Sequence, residues 1–280
     1  EKFSALKSLG CNRLSIGAQA FSDDDLRLLG RVHSADDITR AYVAAREAGF
    51  ANISLDLIAD MPGVTTSSWR YSVDRAIDLA PEHLSVYSLI IEEGTLFAER
   101  RRQGRLVPVA DDQQAATMEW TVQRLVAAGY EHYEVSNYAR SGYHSRHNWG
   151  YWTGAAYLGV GLGAHSFIAD ERSWNTRDLD TYLVALENGE SPREGREFID
   201  PDTARRERLW LGLRTATGIQ LSESEVAQVQ NSKRFADLVA LGYAGLEGQR
   251  LYLTDPGLVL ADALGLELEK ILEDRAYVAA

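Results

Sequence analysis

The sequence predicts an α/β fold: a partial (β/α) TIM-like barrel over residues 1–171, followed by a mainly helical, winged-helix-like C-terminal domain over 172–280. Two observations predict the first part. Strand-like runs recur every ~30–45 residues with a helical pattern between them, which is the spacing of successive βα units. Four such units are visible, whereas a closed eight-unit barrel takes ~250 residues, so four do not close one. The third observation is a change of character near Arg172, where strand patterns stop and helical ones run on to a short terminal hairpin.

Residues 1–9 read as the end of an amphipathic helix, and Asn12 to Gly17 as a strand with apolar residues at every second position. Ser34 is placed to cap a helix from Ala35 whose Ile38, Tyr42, Val43 and Ala45 share a face, and Gly49 stops it. Asn52–Ile58 is the next strand, Ser68–Leu79 a helix, and His83–Leu89 a strand again. Asp111–Ala128 is a long helix ended by Gly129, and Tyr133–Ser136 a further strand. Beyond the change of pattern, 177–188, 202–217, 222–230 and 232–241 read as helices, with Ser222 and Glu225 spaced for a capping box. Gly242–Leu253 then reads as a hairpin turning at Glu247-Gly248-Gln249, and Thr254 caps the last helix. An acidic module with an apolar wing is expected to pack on its own catalytic domain rather than on DNA.

Composition narrows the function classes. The 280 residues are 45% hydrophobic and 25% charged, enough to bury a sizeable core. A formal charge of −12 argues against nucleic acid as a partner, since phosphate binding needs a surplus of Lys and Arg. No apolar run reaches the ~18–20 residues of a membrane span, and no signal-peptide pattern opens the chain, so a cytoplasmic location is expected. The single cysteine, Cys11, cannot supply a disulfide framework, a zinc ribbon or an iron–sulfur cluster by itself, and beside Gly10 it reads as a small buried hydrophobe.

Two groups of residues carry the chemistry. Gln19 and Arg31 follow one strand and Asp56 lies in the next, where parallel α/β folds build ligand crevices. A carboxylate there accepts hydrogen bonds from ribose hydroxyls, and a guanidinium grips a carboxylate with two parallel bonds. The plain alternative is an Asp bonded to backbone amides and a solvated Arg. The second group runs from Tyr143 to Trp152 and from Tyr157 to Ser166, and holds three of the six histidines and two of the six tryptophans. Aromatic faces with imidazoles suit a flat, apolar, metal-containing or anionic ligand, and the alternating glycines allow backbone to approach it closely. His144, His147 and His165 are a possible metal triad; the alternative is a packed aromatic loop. No Gly-x-Ser-x-Gly elbow supports serine hydrolysis.

The ordered motifs Asn12–Phe21, Leu29–His33, Asp56-Leu-Ile, Leu84–Tyr87, Tyr130–Arg140, His147-Asn-Trp-Gly-Tyr-Trp152 and Gly159–Ser166 span nearly the whole chain. Together they resemble the oxygen-independent coproporphyrinogen III oxidase-like branch of the radical SAM superfamily, specifically its HemW-type haem chaperones. The resemblance implies a radical SAM barrel, a HemN-type C-terminal domain, and S-adenosylmethionine, a 4Fe–4S cluster and haem as bound groups. It implies that Gln19, Arg31 and Asp56 contact S-adenosylmethionine, Arg31 at its carboxylate and Asp56 at its ribose, with Ile90 beside the adenine. With haem as the implied cargo, the residues of the aromatic run and the glycines after it, rather than the resemblance, make His147, Trp149, Tyr151, Trp152 and His165 the haem candidates, His147 being preferred as ligand over His144 and His165.

Two departures stand out. The Cys-x-x-x-Cys-x-x-Cys that holds the cluster and the Gly-rich stretch that meets the methionine end are absent, so roughly 100 residues, about three βα units, are expected to precede this sequence. Ala59-Asp60-Met61-Pro62-Gly63 replaces the family's usual Tyr-Gly-Leu-Pro-Gly, putting an acid where a glycine is usual. The implied function is a haem chaperone that hands its cargo to an acceptor protein, with a respiratory or membrane-associated acceptor as a candidate. The alternatives are oxidative decarboxylation of coproporphyrinogen III and a non-catalytic interaction module; the residues leave enzymatic activity open.

Overall fold

A computed structural model describes residues 1–273, which belong to two compact units, one of 1–144 with 254–260 and one of 145–253 with 261 onward. The division falls at His144/Ser145, earlier than the expected 171/172, because strands at 165–175 hydrogen-bond to a strand at 193–198.

The first unit opens with α1 (Lys2–Ser8), β1 (Leu14–Gln19) and a short α2 (Asp23–Leu28) that sequence periodicity did not reveal. In α3 (Ala35–Glu47), Ser34 and Asp37 form a reciprocal capping box. Ile38, Tyr42 and Ala45 are buried on its inner face, whereas Val43 is exposed, about 100° round the helix from Tyr42. There follow β2 (Ile53–Ala59), α4 (Thr66–Asp78), β3 (His83–Ser88), α5 (Leu96–Arg102), α6 (Asp111–Ala127), β4 (Glu131–Glu134) and β5 (Asn137–Ala139). The sheet order is β1-β2-β3-β5-β4, and β1, β2 and β3 run parallel.

The strand expected at Tyr133–Ser136 is a hairpin instead. The chain reverses at Val135-Ser136, where the Glu134 carboxylate accepts the Ser136 amide at 3.2 Å and the Asn137 side-chain amide, and β5 lies antiparallel to β3. Cys11, in the loop after α1, is exposed rather than buried, since α1 has no buried residue to carry the loop inward.

The two faces of the sheet differ sharply. Ile53, Leu55 and Leu57 of β2 and Leu84 and Val86 of β3 pack with Ile38, Trp69, Val73 and Leu125 in one apolar cluster. The other face is polar, and strand register sets its rows: Ser15, Ser54 and His83 in one, and Gly17, Asp56, Ser85 and Asn137 in the next. A one-residue slip of β2 would exchange the two sets, so burial of the leucines also fixes Asp56 on the polar side.

The second unit contains α7 (Arg146–Trp152), β6 (His165–Ile168), β7 (Glu171–Asn175), α8 (Leu179–Glu187) and β8 (Arg193–Phe198). β6, β7 and β8 form an antiparallel sheet, so strands continue past Arg172, contrary to the sequence expectation. β8 lacks apolar alternation because cross-strand ion pairs accompany its pairing: Arg193 and Arg196 bond Glu171, and Arg172 bonds Glu197. Next come α9 (Pro201–Gly212), β9 (Ile219–Gln220), α10 (Glu223–Asn231), α11 (Lys233–Ala240), β10 (Ala244–Glu247) and β11 (Arg250–Leu253). The expected wing is present as the sheet β10-β11-β9. Thr254 caps α12 (Asp255–Val259) of the first unit, and α13 (Ala261–Glu273) returns to the second. Leu209, Leu213, Val229, Phe235, Leu251 and Leu268 are buried in the second unit. Among the described residues, no helix is long and apolar enough to cross a membrane.

Candidate functional site

The polar face of the first sheet is built around Asp56. Its carboxylate accepts the Ser15 hydroxyl at 2.8–2.9 Å and the Ser54 hydroxyl at 3.2 Å. The pairing shifts between Gly17 and Gln19, and Gln19 has a left-handed backbone with φ 68°. This irregularity folds the Gln19 amide back over Gly17, into space that a Cβ at residue 17 would occupy. Gly17 pairs with Asp56, so Gln19 and Asp56 are brought together although 37 positions separate them in the sequence.

Ile90 follows β3 at the same carboxyl end of the parallel strands and is 76% exposed. Arg31 lies just past α2, where the Arg31 amide bonds the Leu26 carbonyl around Gly30 at φ 70°. Its position is exposed, in the loop between α2 and α3. Asp60 sits at φ 59°, a backbone conformation that glycine adopts freely and aspartate tolerates, and the Ser88 hydroxyl donates to its Oδ2 at 2.6 Å. The acid therefore keeps the backbone turn that a glycine would make; burial raises its pKa.

Behind Asp56 the polar face is closed by His83 and Tyr133. His83 is buried between the Ser54 hydroxyl at Nδ1 and the Tyr133 hydroxyl at Nε2, each at 2.8 Å. Burial, assisted by Arg13 and His144, pushes its pKa down to about 3, so the ring is neutral at physiological pH. Tyr87 has its pKa raised by burial, and the Asp56 and Glu134 charges add to the shift. Sequence patterning did not single out Ser15, Ser54, His83 or Tyr133; alternation with apolar residues in β1, β2 and β3 was the available clue for the first three, and β4 offers none for Tyr133.

S-adenosylmethionine fits this face. A carboxylate offers roughly four acceptor sites, and two serine hydroxyls leave room at Asp56 for a ribose. The buried Asn137 Oδ1, in the Asp56 row, has no hydrogen-bond partner among the described residues. A 4Fe–4S cluster does not fit: the sequence holds one thiol, on an exposed residue, and thiolates are the usual ligands.

In the second unit, α7 carries the aromatic segment. His147 is exposed at its first turn, with Nε2 bonded to the Tyr151 hydroxyl at 2.9 Å one turn later. Tyr151 and Trp152 line a cleft of about 630 Å3, with Tyr157, Phe167, Ile199 and Leu211 among its apolar walls and Arg172 and Arg208 among its cations. That volume lies within the usual range of small-molecule sites. Arg172 is tied to Glu197 and Glu207, while Arg208 has no ion-pair partner among the described residues.

Neither His147, Trp149 nor His165 lines the cleft; His165 is exposed on β6 and stacks on Trp174 at 5.9 Å. His144 bonds Glu131 at 2.7 Å and stacks on Tyr133 in the first unit. No group of three metal-binding side chains occurs among the described residues, so these histidines do not form the expected triad. The glycines also have another purpose than ligand approach. A Cβ on Gly159 would overlap the His165 backbone, and Gly161 and Gly163 have φ of 107° and 64°. The cleft residues Phe167, Ile199, Arg208 and Leu211 escaped sequence analysis because β6, the segment after β8 and α9 bring them together from separate stretches of the chain.

Residues 1–76 match the radical SAM superfamily. The chain is 37% identical over 246 residues to the heme chaperone HemW of Bacillus subtilis, covering 88% of this chain and 62% of that protein. The HemW of Mycobacterium tuberculosis is 36% identical over 264 residues, 94% of this chain and 67% of its own length. The HemW of Lactococcus lactis is 31% identical over 279 residues, 98% of this chain and 72% of its own length. In fold the chain is similar to coproporphyrinogen III oxidase (HemN) from Escherichia coli, a radical SAM enzyme. The TM-score is 0.75 at 22% identity, over 95% of this chain and 66% of that one.

Proposed function

Because this chain belongs to the HemW-type branch of the radical SAM proteins, we propose that it takes part in binding haem and passing it to an acceptor protein in the cytoplasm. One observation carries the cargo assignment: the aromatic cleft whose wall includes Tyr151 and Trp152. A porphyrin is flat, apolar across its ring and anionic at its propionates. Tyr151, Trp152, Tyr157 and Phe167 offer stackable area, and Arg208 offers a cation free to meet a carboxylate.

His147 does not line the cleft and reaches it only through its bond to Tyr151; it is the candidate iron ligand, with Trp149 and His165 as further haem surface outside the cleft. A respiratory or membrane-associated protein is a candidate acceptor. Haem titration of the chain, followed by the Soret band, tests the assignment. Trp152→Ala and Arg208→Ala are expected to weaken affinity about ten-fold, as loss of stacking or of a charged hydrogen bond implies. His147→Ala is expected to shift the band. If His144→Ala, His147→Ala and His165→Ala are all silent, histidine ligation is wrong; if Trp152→Ala and Arg208→Ala are silent, the cleft is not the site.

The first unit is proposed to hold S-adenosylmethionine, through Gln19, Arg31, Asp56 and Ile90. Asp56 accepts from the ribose, Arg31 meets the carboxylate, Gln19 closes over Gly17, and Ile90 lies beside the adenine. Radical SAM proteins pair S-adenosylmethionine with a 4Fe–4S cluster, whose thiolate ligands this sequence does not hold; the two together would supply one-electron chemistry. Asp56→Ala and Arg31→Ala each remove a charge-assisted hydrogen bond, worth about 1.5–3 kcal/mol, so affinity is expected to fall roughly ten- to a hundred-fold. Calorimetric titration with S-adenosylmethionine checks this, and unchanged affinity in both variants removes the assignment. Coproporphyrinogen turnover, measured beside haem transfer, separates the chaperone from the oxidase alternative.

A further inference from the structure

We propose that Tyr133, His83 and Ser54 form a one-way chain of hydrogen-bond donors that ends on Asp56, making His83 a positioning residue for that carboxylate. The direction follows from elementary hydrogen-bond chemistry. Ser54 Oγ lies 3.2 Å from Asp56 Oδ1 and 2.8 Å from His83 Nδ1. An ionised carboxylate only accepts, so the single Ser54 hydroxyl proton points to Asp56. Were it given to His83, two oxygens carrying lone pairs would face each other with nothing between them. His83 must then donate to Ser54 from Nδ1. A neutral imidazole carries one N–H, so Nε2 is the acceptor, and the Tyr133 hydroxyl at 2.8 Å donates to it.

Three elements hold the chain in place. Ser54 and His83 pair across β2 and β3, and the Tyr133 ring from β4 stacks on His144 at 4.2 Å with an interplanar angle of 12°. The ionisable groups acting on His83 are Arg13 from the loop before β1 and His144 beyond β5, and both disfavour the imidazolium. With Ser54 bound from one side and Ser15 from another, the Asp56 carboxylate is held in one orientation with acceptor capacity left over. Neighbouring hydrogen bonds that run in one direction polarise one another, so the terminal bond to Asp56 gains from those behind it. The consequence for nucleoside binding rests on the S-adenosylmethionine assignment above; the chain itself does not.

Nitrogen-15 correlation spectra of the histidine-labelled chain test the direction, with the His83 signals identified by their absence in His83→Asn. The expected result is a neutral ring from pH 5 to 8, protonated at Nδ1 and bare at Nε2. A ring protonated at Nε2, or one that becomes an imidazolium in that range, overturns the proposal. Ser54→Ala cuts the chain with little change of shape, and Ser54→Thr preserves it. S-adenosylmethionine affinity is expected to fall about three- to ten-fold in the alanine variant and to recover in the threonine one. Tyr133→Phe is expected to leave His83 Nε2 without its donor and to move its resonance. Should wild type bind no S-adenosylmethionine while the Nδ1 tautomer is observed, the binding assignment fails and the donor chain stands. Should Ser54→Ala bind as tightly as wild type, the positioning role is wrong.

Discussion

Replacing Gly218 by alanine is expected to cost the second unit about 3 kcal/mol or more and to disrupt the pairing of β9 with β11. Two independent penalties coincide there. Gly218 has φ 64°, a conformation that costs an L-residue with a Cβ about 1–2 kcal/mol. A Cβ would also overlap the Leu251 carbonyl and crowd the Tyr252 Cα, both backbone atoms of β11 that no rotamer change can move. Forcing atoms into a packed site costs a further ~1–3 kcal/mol. Gly248 separates the two terms: its φ is 61°, but nothing lies within 4 Å of its Cβ position. Gly248→Ala is therefore expected to carry the conformational penalty alone. Hydrogen exchange at the Leu251 amide, with urea unfolding of both variants, measures the difference. Equal losses would show that the close approach of the two backbones contributes nothing. Gly218 also lines the cleft, so Gly218→Ala should weaken haem binding in parallel with its loss of protection.

Acid is expected to destabilise the first unit well before its carboxylates protonate. His83 titrates at about 3 in the folded chain against an ordinary 6.5, because burial opposes its charge. Above pH 6.5 it is neutral in both states and stability is insensitive to it. As pH falls below 6.5 the unfolded chain takes up a proton that the folded chain refuses, so stability drops at ~1.4 kcal/mol per pH unit until the folded value is reached. Between pH 7 and 5 the loss from this residue is about 2 kcal/mol. Asp37, whose carboxyl is held down to about 2 by the capping hydrogen bonds from Ser34, contributes in the same direction but only at lower pH. Urea unfolding monitored in the first unit at pH 7, 6 and 5 checks the slope, and His83→Asn, though less stable at pH 7, should show a shallower one. An unchanged slope in that variant would place the acid sensitivity elsewhere.

Much of the first unit was legible in the sequence because its helices and parallel strands rest on local rules. The cap at Ser34, the alternation in β1 to β3 and the stop at Gly49 each follow from a few neighbouring side chains. The hairpin at Val135-Ser136 did not, since Tyr133–Ser136 has an ordinary strand composition and the reversal depends on Glu134 turning back on its own chain. β8 was hidden for another reason: its partners on β7 are charged, and a strand supported by ion pairs has no apolar period to detect. The candidate residues divide in the same way. Motif resemblance singled out Gln19, Arg31, Asp56 and Ile90 as a group, at the end of β1, after α2, within β2 and after β3, while Ser15, Ser54, His83 and Tyr133 joined Asp56 only through register.

By itself, then, the sequence determined the α/β class, the family, the helix caps at Ser34 and Ser222 and the apolar face of the sheet, all properties set by residues close together in the chain or by ordered motifs. Tertiary structure alone decided that the Gln19 amide folds over Gly17 beside Asp56, that His83 is buried as a neutral ring, and that the aromatic cleft contains Trp152 and Arg208 but no histidine. Those outcomes depend on register, on a left-handed residue at the end of β1 and on desolvation by elements distant in sequence. No local pattern encodes them, because the energy of a buried polar group is set by what surrounds it in space.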